Sequence, residues 1–290
     1  MKFLRPAILG FSIALALAGC GGGGSDSIAL VPVSSSAQPQ LGAFSAGASV
    51  AYFRPDGSSL GSGLTDASGK AIIDLGTYTG PFSVVINGAS GVTYYDEADG
   101  QNKPFGVGAS MMAIVKGSAG GLNTVGVTPL TNAAARLAGL SPSAPGVGSR
   151  TATEIDTANS QVALMFGLPS GFDITKPPTS ISAGSTSLTG TSDASVYAAV
   201  LSALAISAKN SGLDPATSAA QIATAFSATT PGQTNATLAA LLTDVQSLLA
   251  GNAVGGVTLA SRLTLASDIS GKLNTISTSV VTSGRVPLPN

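Results

Sequence analysis

Residues 125–131 read Val-Gly-Val-Thr-Pro-Leu-Thr, and the spacing of apolar residues changes within this stretch. Before Thr128 the apolar residues tend to alternate with small or polar ones, as in a strand with one buried face. After Thr128 they recur every third or fourth position, which is the spacing of an amphipathic helix. Thr128 and Pro129 are also favoured at the N-cap and first turn of a helix. The stretch predicts an α+β protein, with strands before residue 128 and helices after it.

The segment before this point predicts a small antiparallel β-sandwich over residues 45–127. Residues 64–75 predict a hairpin, because Asp66 can begin an Asx turn and Gly69 can adopt positive φ. Short runs of β-prone residues bounded by turn residues predict the other strands. These runs lie at 48–53, 82–87, 92–95, 105–115 and 125–127.

The segment from 128 to 290 predicts a helical bundle with its own core. Thr151 and Glu154 have capping-box spacing and should begin the second helix. Further apolar stripes lie at 196–204, 214–226, 238–249 and 259–280. We expect these stripes to be core, with a docking face or a site for an apolar molecule as the alternative. The two halves are expected to fold separately, with the boundary between Val127 and Thr128.

Several motifs suggest a family. The turn from Thr65 to Ala71 resembles the Thr-Asp-x-x-Gly-x signature of carboxypeptidase-regulatory-like, or prealbumin-like, domains. The segments 80–82, 94–100 and 127–131 resemble recurring parts of proteobacterial surface lipoproteins built around such a domain. The resemblance implies a β-sandwich that carries no catalytic residues of its own.

The first residues predict export. Lys2 and Arg5 precede an uncharged apolar stretch that ends at Gly19, so residues 1–19 have the pattern of a signal peptide. The residues Leu17-Ala18-Gly19-Cys20 resemble the lipobox of bacterial lipoproteins, which implies cleavage before Cys20 and its acylation. Ordinary signal cleavage near an incidental cysteine is the alternative. Residues 20–44 are rich in Gly, Ser and Pro and are expected to be a lipidated flexible tether.

Composition excludes several classes of function. The chain has 13 basic and 14 acidic residues, so no excess of positive charge favours nucleic acid. Histidine is absent, which removes histidine general bases and the commonest ligand of transition metals. The single cysteine cannot form an internal disulfide, whereas acylation at Cys20 would remove a free thiol from an oxidising compartment. We therefore expect neither catalytic residues nor a cofactor.

Two motifs could still carry chemistry. Gly57-Ser58-Ser59-Leu60-Gly61 has the spelling of a nucleophile elbow, but Ser59 lies between predicted strands and has no histidine to activate it. Asp96, Glu97 and Asp99 place three carboxylates within four residues, and such oxygen ligands suit calcium. Their spacing around Gly100 does not fit an EF-hand, so a solvated turn is the favoured interpretation.

The sequence as a whole predicts a non-catalytic lipoprotein of the cell envelope, anchored to the membrane through acylated Cys20. Because Gly21 rather than Asp follows the cysteine, the sorting pattern resembles an outer-membrane address. The expected role is structural or binding. A binding module whose bundle holds an apolar ligand or docks on an envelope protein is the alternative. A hydrolase that uses carboxylates alone is a remote one.

Overall fold

The computed structural model describes residues 32–256 and 264–265, apart from positions 119, 184, 186, 189–191, 215, 216, 219 and 222–235. The chain divides into two units, Met1–Leu30 and Val31–Asn290, and every described residue belongs to the second unit. Several β-sheets and a few helices make up this unit, which confirms the α+β class. The predicted signal peptide and Cys20 lie outside the described residues.

Two larger sheets form the β-rich part. The first is antiparallel and has the strand order β3-β2-β5-β8, with β2 at Ser49–Phe53, β3 at Ser59–Leu64, β5 at Phe82–Asn87 and β8 at Ser110–Val115. The second has the order β4-β1-β9, with β1 at Val33–Pro39, β4 at Ala71–Asp74 and β9 at Gly121–Val127. Strand β1 is antiparallel to β4 but parallel to β9, so this sheet is mixed and not purely antiparallel as expected.

Strand β1 corrects the prediction of a tether over residues 20–44. Residues Val33–Pro39 form the central strand of the second sheet and are mostly buried. The serine-rich run lacks the apolar alternation that indicates a strand, but its small side chains fit between two paired strands. One of its buried hydroxyl groups also has a partner in the other sheet, since the Tyr52 hydroxyl donates to Ser35 Oγ at 3.0 Å. The tether prediction is therefore wrong for residues 33–39.

The two sheets face each other across one apolar core. The first sheet contributes Val50, Tyr52, Val84, Ile86 and Met111 to it, and the second contributes Val33, Ala37, Ile73 and Val125.

The predicted hairpin over residues 64–75 is wrong, because β3 and β4 belong to different sheets. The turn itself is confirmed: Asp66 Oδ1 accepts from the Ser68 amide at 2.8 Å, and Gly69 has a φ of 72°. Strand β3 stacks over β4 instead of pairing with it. A Cβ at Gly61 would lie 2.6 Å from Cγ2 of Ile73, so only a bare backbone lets Ile73 occupy this position.

A separate two-stranded hairpin follows β5. It pairs β6, at Thr93–Asp96, with β7, at Gln101–Pro104. Strand β7 is polar and was not predicted, and the predicted strand 105–115 begins only at Ser110. The residues between Pro104 and Ser110 form a glycine-containing loop that borders the site described below.

Four longer helices lie in the described part of the chain: α1 at Pro129–Leu137, α2 at Ala152–Met165, α3 at Asp193–Asn210 and α4 at Ala236–Leu249. The described residues 217, 218, 220 and 221 are also helical and lie within the predicted helix 214–226. The predicted helix starts at Thr128 and Thr151 are confirmed, and each of these threonines forms a capping box. Helix α3 is buried at every position from Ser195 to Ala208 and packs against α4.

Helices α1 and α2 cover the outer face of the first sheet. Val85, Met112 and Ile114 point away from the core between the sheets and pack with Ala135 and Ile155 of the two helices. This second apolar face explains why β5 and β8 contain nearly continuous apolar runs. Residues 31–290 form one compact unit, so the boundary at residue 128 lies within packed structure. Separate folding of the two halves stays a prediction. The apolar cluster that joins the first sheet to α1 and α2 argues against it.

The last predicted helix, over 259–280, is wrong where it can be compared. Thr264–Leu265 forms a short strand, β11, that pairs in parallel with β10 at Ser187–Leu188, because backbone pairing overrides a helical spacing of leucines there. The other residues of this segment lie outside the described part. Within that part, no helix has the length and apolar character needed to cross a membrane.

Candidate functional site

Three acidic residues lie at the tip of the β6–β7 hairpin, where the sequence suggests a solvated turn or a calcium site. Asp96 ends β6, and Glu97 and Asp99 follow it in the turn. Asp96 is 1% exposed and Glu97 is 7% exposed. The prediction of a solvated turn is therefore wrong, because α3 packs against the turn and excludes water from these carboxyl groups.

Two lysines hold this turn to α3. Lys103 Nζ lies 2.7 Å from Asp96 Oδ2 and also contacts Asp99. Lys209, in the last turn of α3, lies 2.7 Å from Asp99 Oδ1. The hydrogen bonds from both lysines lower the pKa of Asp99 to about 2. We refer to Asp96, Glu97, Asp99, Lys103, Ser202 and Lys209 as the buried ion cluster.

Glu97 behaves differently from its two acidic neighbours because no lysine of the described residues reaches it. Burial, and to a lesser extent the negative charge of Asp96, raise the pKa of Glu97 to about 8 although the contact with Ser202 lowers it. Ser202 Oγ contacts Glu97 Oε2 and lies 3.0 Å from the carbonyl oxygen of Ala198. One hydroxyl hydrogen cannot serve both acceptors. A protonated Glu97 resolves the conflict, since it donates to Ser202 Oγ while the Ser202 hydroxyl donates to Ala198.

The contacts of the buried ion cluster indicate a structural role. Each of its carboxyl groups already has a protein partner that neutralises it or shares its proton. In the part of the chain that the structure describes, no group of three or more His, Cys, Asp or Glu is arranged to hold a metal ion. The arrangement fastens α3 to the hairpin and fixes the position of Lys103.

Ser59 does not lie in a nucleophile elbow. It begins β3 on the protein surface, at the edge of the first sheet. A nucleophile elbow instead places its serine at a turn from a strand to a helix. The other residues singled out from the sequence, Leu17, Ala18, Gly19 and Cys20, lie outside the described residues.

A groove of about 710 Å³ lies beside the buried ion cluster and shares Lys103 with it. The loop after β7 forms one wall, and α1 forms another through Asn132 and Arg136. Asp214 and Thr217 close the third side. The volume lies within the range of about 300–1,000 Å³ that is typical of pockets for small molecules. The groove is therefore the principal candidate for a binding site among the described residues.

The two cations of the groove differ in their surroundings. Lys103 is neutralised by Asp96 and Asp99, whereas Arg136 forms no ion pair with any described carboxylate. Arg136 is half-buried, and its Nη1 donates to the Leu140 carbonyl oxygen at 3.3 Å. The sequence analysis missed this residue. The available signal was one charged side chain in the otherwise uncharged helix Pro129–Leu137.

Comparison with known proteins does not assign a function to this site. No protein-family model matches the chain, and no curated protein is significantly similar to it.

Proposed function

We propose that this protein is a non-catalytic lipoprotein of the bacterial cell envelope, held in the outer membrane by acylated Cys20. The observation that carries the proposal is the position of the only cysteine, directly after the apolar stretch that ends in Leu17-Ala18-Gly19. Two or three acyl chains hold a protein to a bilayer far more firmly than one, because each buried methylene contributes about 0.8 kcal/mol.

The start of the folded part limits the length of the proposed tether. Strand β1 of the second sheet begins at Val33, which leaves 12 residues between Cys20 and this strand. Even a fully extended chain of this length spans only about 40 Å. The tether that we propose is thus shorter than residues 20–44.

The groove favours a binding role over a purely structural one, and it is the place where we expect a ligand to bind. It lies between the hairpin loop and α1 and is lined by charged and polar groups as well as apolar ones. The apolar stripes of α3 and α4 instead pack into a core with Phe166, Leu168 and Phe172. Binding in the groove is therefore our proposal, and an apolar ligand inside a helical bundle is the weaker candidate.

For the finer fold class, we propose a prealbumin-like sandwich followed by a helical bundle. Two sheets that share one core and the Asx turn at Asp66 support the first part of this proposal. The packing of α1 with α2 and of α3 with α4 supports the second.

The experiment is fatty-acid labelling in a Gram-negative host. The full chain should incorporate an alkyne analogue of palmitate and sediment with membranes, and Cys20→Ser should lose both properties. A control carries Cys20→Ser together with Ser25→Cys, which restores a thiol outside the lipobox, and it should remain unlabelled. Labelling of Cys20→Ser, or equal labelling of the control, would refute acylation at this position.

A further inference from the structure

The groove contains one positive charge that no carboxylate of the described residues neutralises. The ammonium group of Lys103 is matched by Asp96 and Asp99. The guanidinium group of Arg136 faces the groove with a single carbonyl partner among the described residues. A guanidinium presents its donors as a planar fork, and this fork fits the two oxygens of a carboxylate. An oxyanion is therefore the group that Arg136 would bind.

The charges around the groove favour a single negative charge on the ligand. The Asp214 carboxylate also lines the groove, where it accepts from the amide of Thr217 at 2.9 Å and from its hydroxyl. A phosphate monoester has a charge of about −1.5 to −2 at neutral pH, so Asp214 and the carboxylates behind Lys103 would repel it more strongly than a monoanion. A carboxylate has the charge that one arginine can balance.

The other residues that line the groove indicate the size and polarity of the rest of the ligand. A carboxylate group alone would leave most of the 710 Å³ empty. Ser110 and Thr217 place hydroxyl groups along the groove, and Gly106 and Gly108 leave main chain uncovered, with open space where a Cβ would be. Such a surface offers hydrogen bonds. It suits a polar, otherwise uncharged molecule of about the size that pockets of this volume hold.

We propose that the groove binds a polar molecule that carries one carboxylate, and that Arg136 is the residue that pairs with this carboxylate. The inference rests on the binding role proposed above and is independent of acylation at Cys20. The C-terminal end of a peptide and an acidic sugar both provide this chemistry.

The test compares acids with their neutral counterparts. The full chain, purified in detergent, is titrated by ligand-observed NMR with N-acetyl-trialanine and its C-terminal amide, and with glucuronate and glucose. Inorganic phosphate is the third ligand. At least one acid should bind about tenfold more tightly than its neutral counterpart, which corresponds to one charge-assisted contact. The pair that shows this preference identifies the source of the carboxylate.

Arg136→Gln should abolish the preference for the acid. Arg150→Gln is the matched control, because Arg150 is also half-buried, also donates to a main-chain carbonyl and does not line the groove. It should retain the preference. If Arg136→Gln does not fold, Arg136→Lys decides the question: a loss of about threefold or more in the preference supports the proposal, and an unchanged preference contradicts it.

Three other results would overturn the inference. They are equal binding of acid and neutral ligands, an equal loss in Arg150→Gln, and tighter binding of phosphate than of both acids. Equal binding of an acid and its neutral counterpart would leave the binding role itself standing. Absence of binding by all five probes would count against both the inference and the groove as the binding site.

Discussion

Replacing Glu97 with glutamine should remove most of the pH dependence of stability that this buried carboxyl group produces. The folded protein holds a proton on Glu97 up to about pH 8, whereas an unfolded chain releases it near the ordinary value of 4.5. Between these two pH values the folded state binds more protons than the unfolded state. The free energy of unfolding must therefore fall as the pH rises through this window, and it should level off above it.

The magnitude follows from the difference between the two pKa values. Each unit corresponds to about 1.4 kcal/mol, so the loss from pH 4.5 to pH 8 is on the order of 4 kcal/mol. Glutamine keeps nearly the same shape and can donate its amide hydrogen to Ser202 Oγ, but it does not titrate. The variant should therefore resemble the parent protein near pH 5 and be more stable than it at pH 9.

The assay is equilibrium unfolding by urea at pH 5, 7 and 9, with the difference between parent and variant taken at each pH so that the other titrating groups cancel. Glu154→Gln is the matched control, because Glu154 is the only other glutamate in the chain and is exposed in the capping box of α2. It should leave the pH dependence unchanged. A constant difference between the parent and Glu97→Gln from pH 5 to pH 9 would show that Glu97 is not held protonated in the folded state.

Two further changes test the packing. Lys209→Met removes the ion pair with the partly buried Asp99 and should destabilise the protein by about 1 kcal/mol in urea unfolding. The control is Lys116→Met, which removes an exposed ion pair with Asp156 and should change stability by less than about 0.5 kcal/mol. Equal effects of the two would contradict the role given to the buried ion cluster. Gly61→Ala should cost about 1–3 kcal/mol in thermal unfolding because the new methyl group meets Ile73, and the cost should shrink in an Ile73→Ala background. An unchanged cost in that background would refute the stacking of β3 over β4.

The sequence predicts those parts of the fold that depend on local chemistry. Thr128 and Thr151 cap helices as expected, because their side chains need only the amide groups of the next turn. The turn at Asp66 forms as expected for the same reason. Pairing across the chain is not local, and here the predictions fail. Whether β3 pairs with β4 depends on how Ile73 packs against a glycine of another sheet, which no periodicity reveals.

The candidate site shows the same division between features that depend on local sequence and features that depend on distant contacts. The three carboxylates are conspicuous in the sequence, but their burial depends on Ser202 and Lys209, more than 100 residues further along the chain. Strand β1 was missed because its serines are buried through pairing and small size and not through hydrophobicity. Arg136 carries no motif, and its position in the groove distinguishes it from Arg54 and Arg150, the other arginines among the described residues.

Intact-mass analysis of the N-terminal peptide of the membrane-extracted protein tests the central proposal most directly. The proposal predicts a peptide that begins at Cys20, lacks residues 1–19 and is heavier than its sequence by the mass of a diacylglyceryl group, with or without a third acyl chain. A peptide that begins at Met1, or one that begins at or after residue 20 without any lipid, would contradict it.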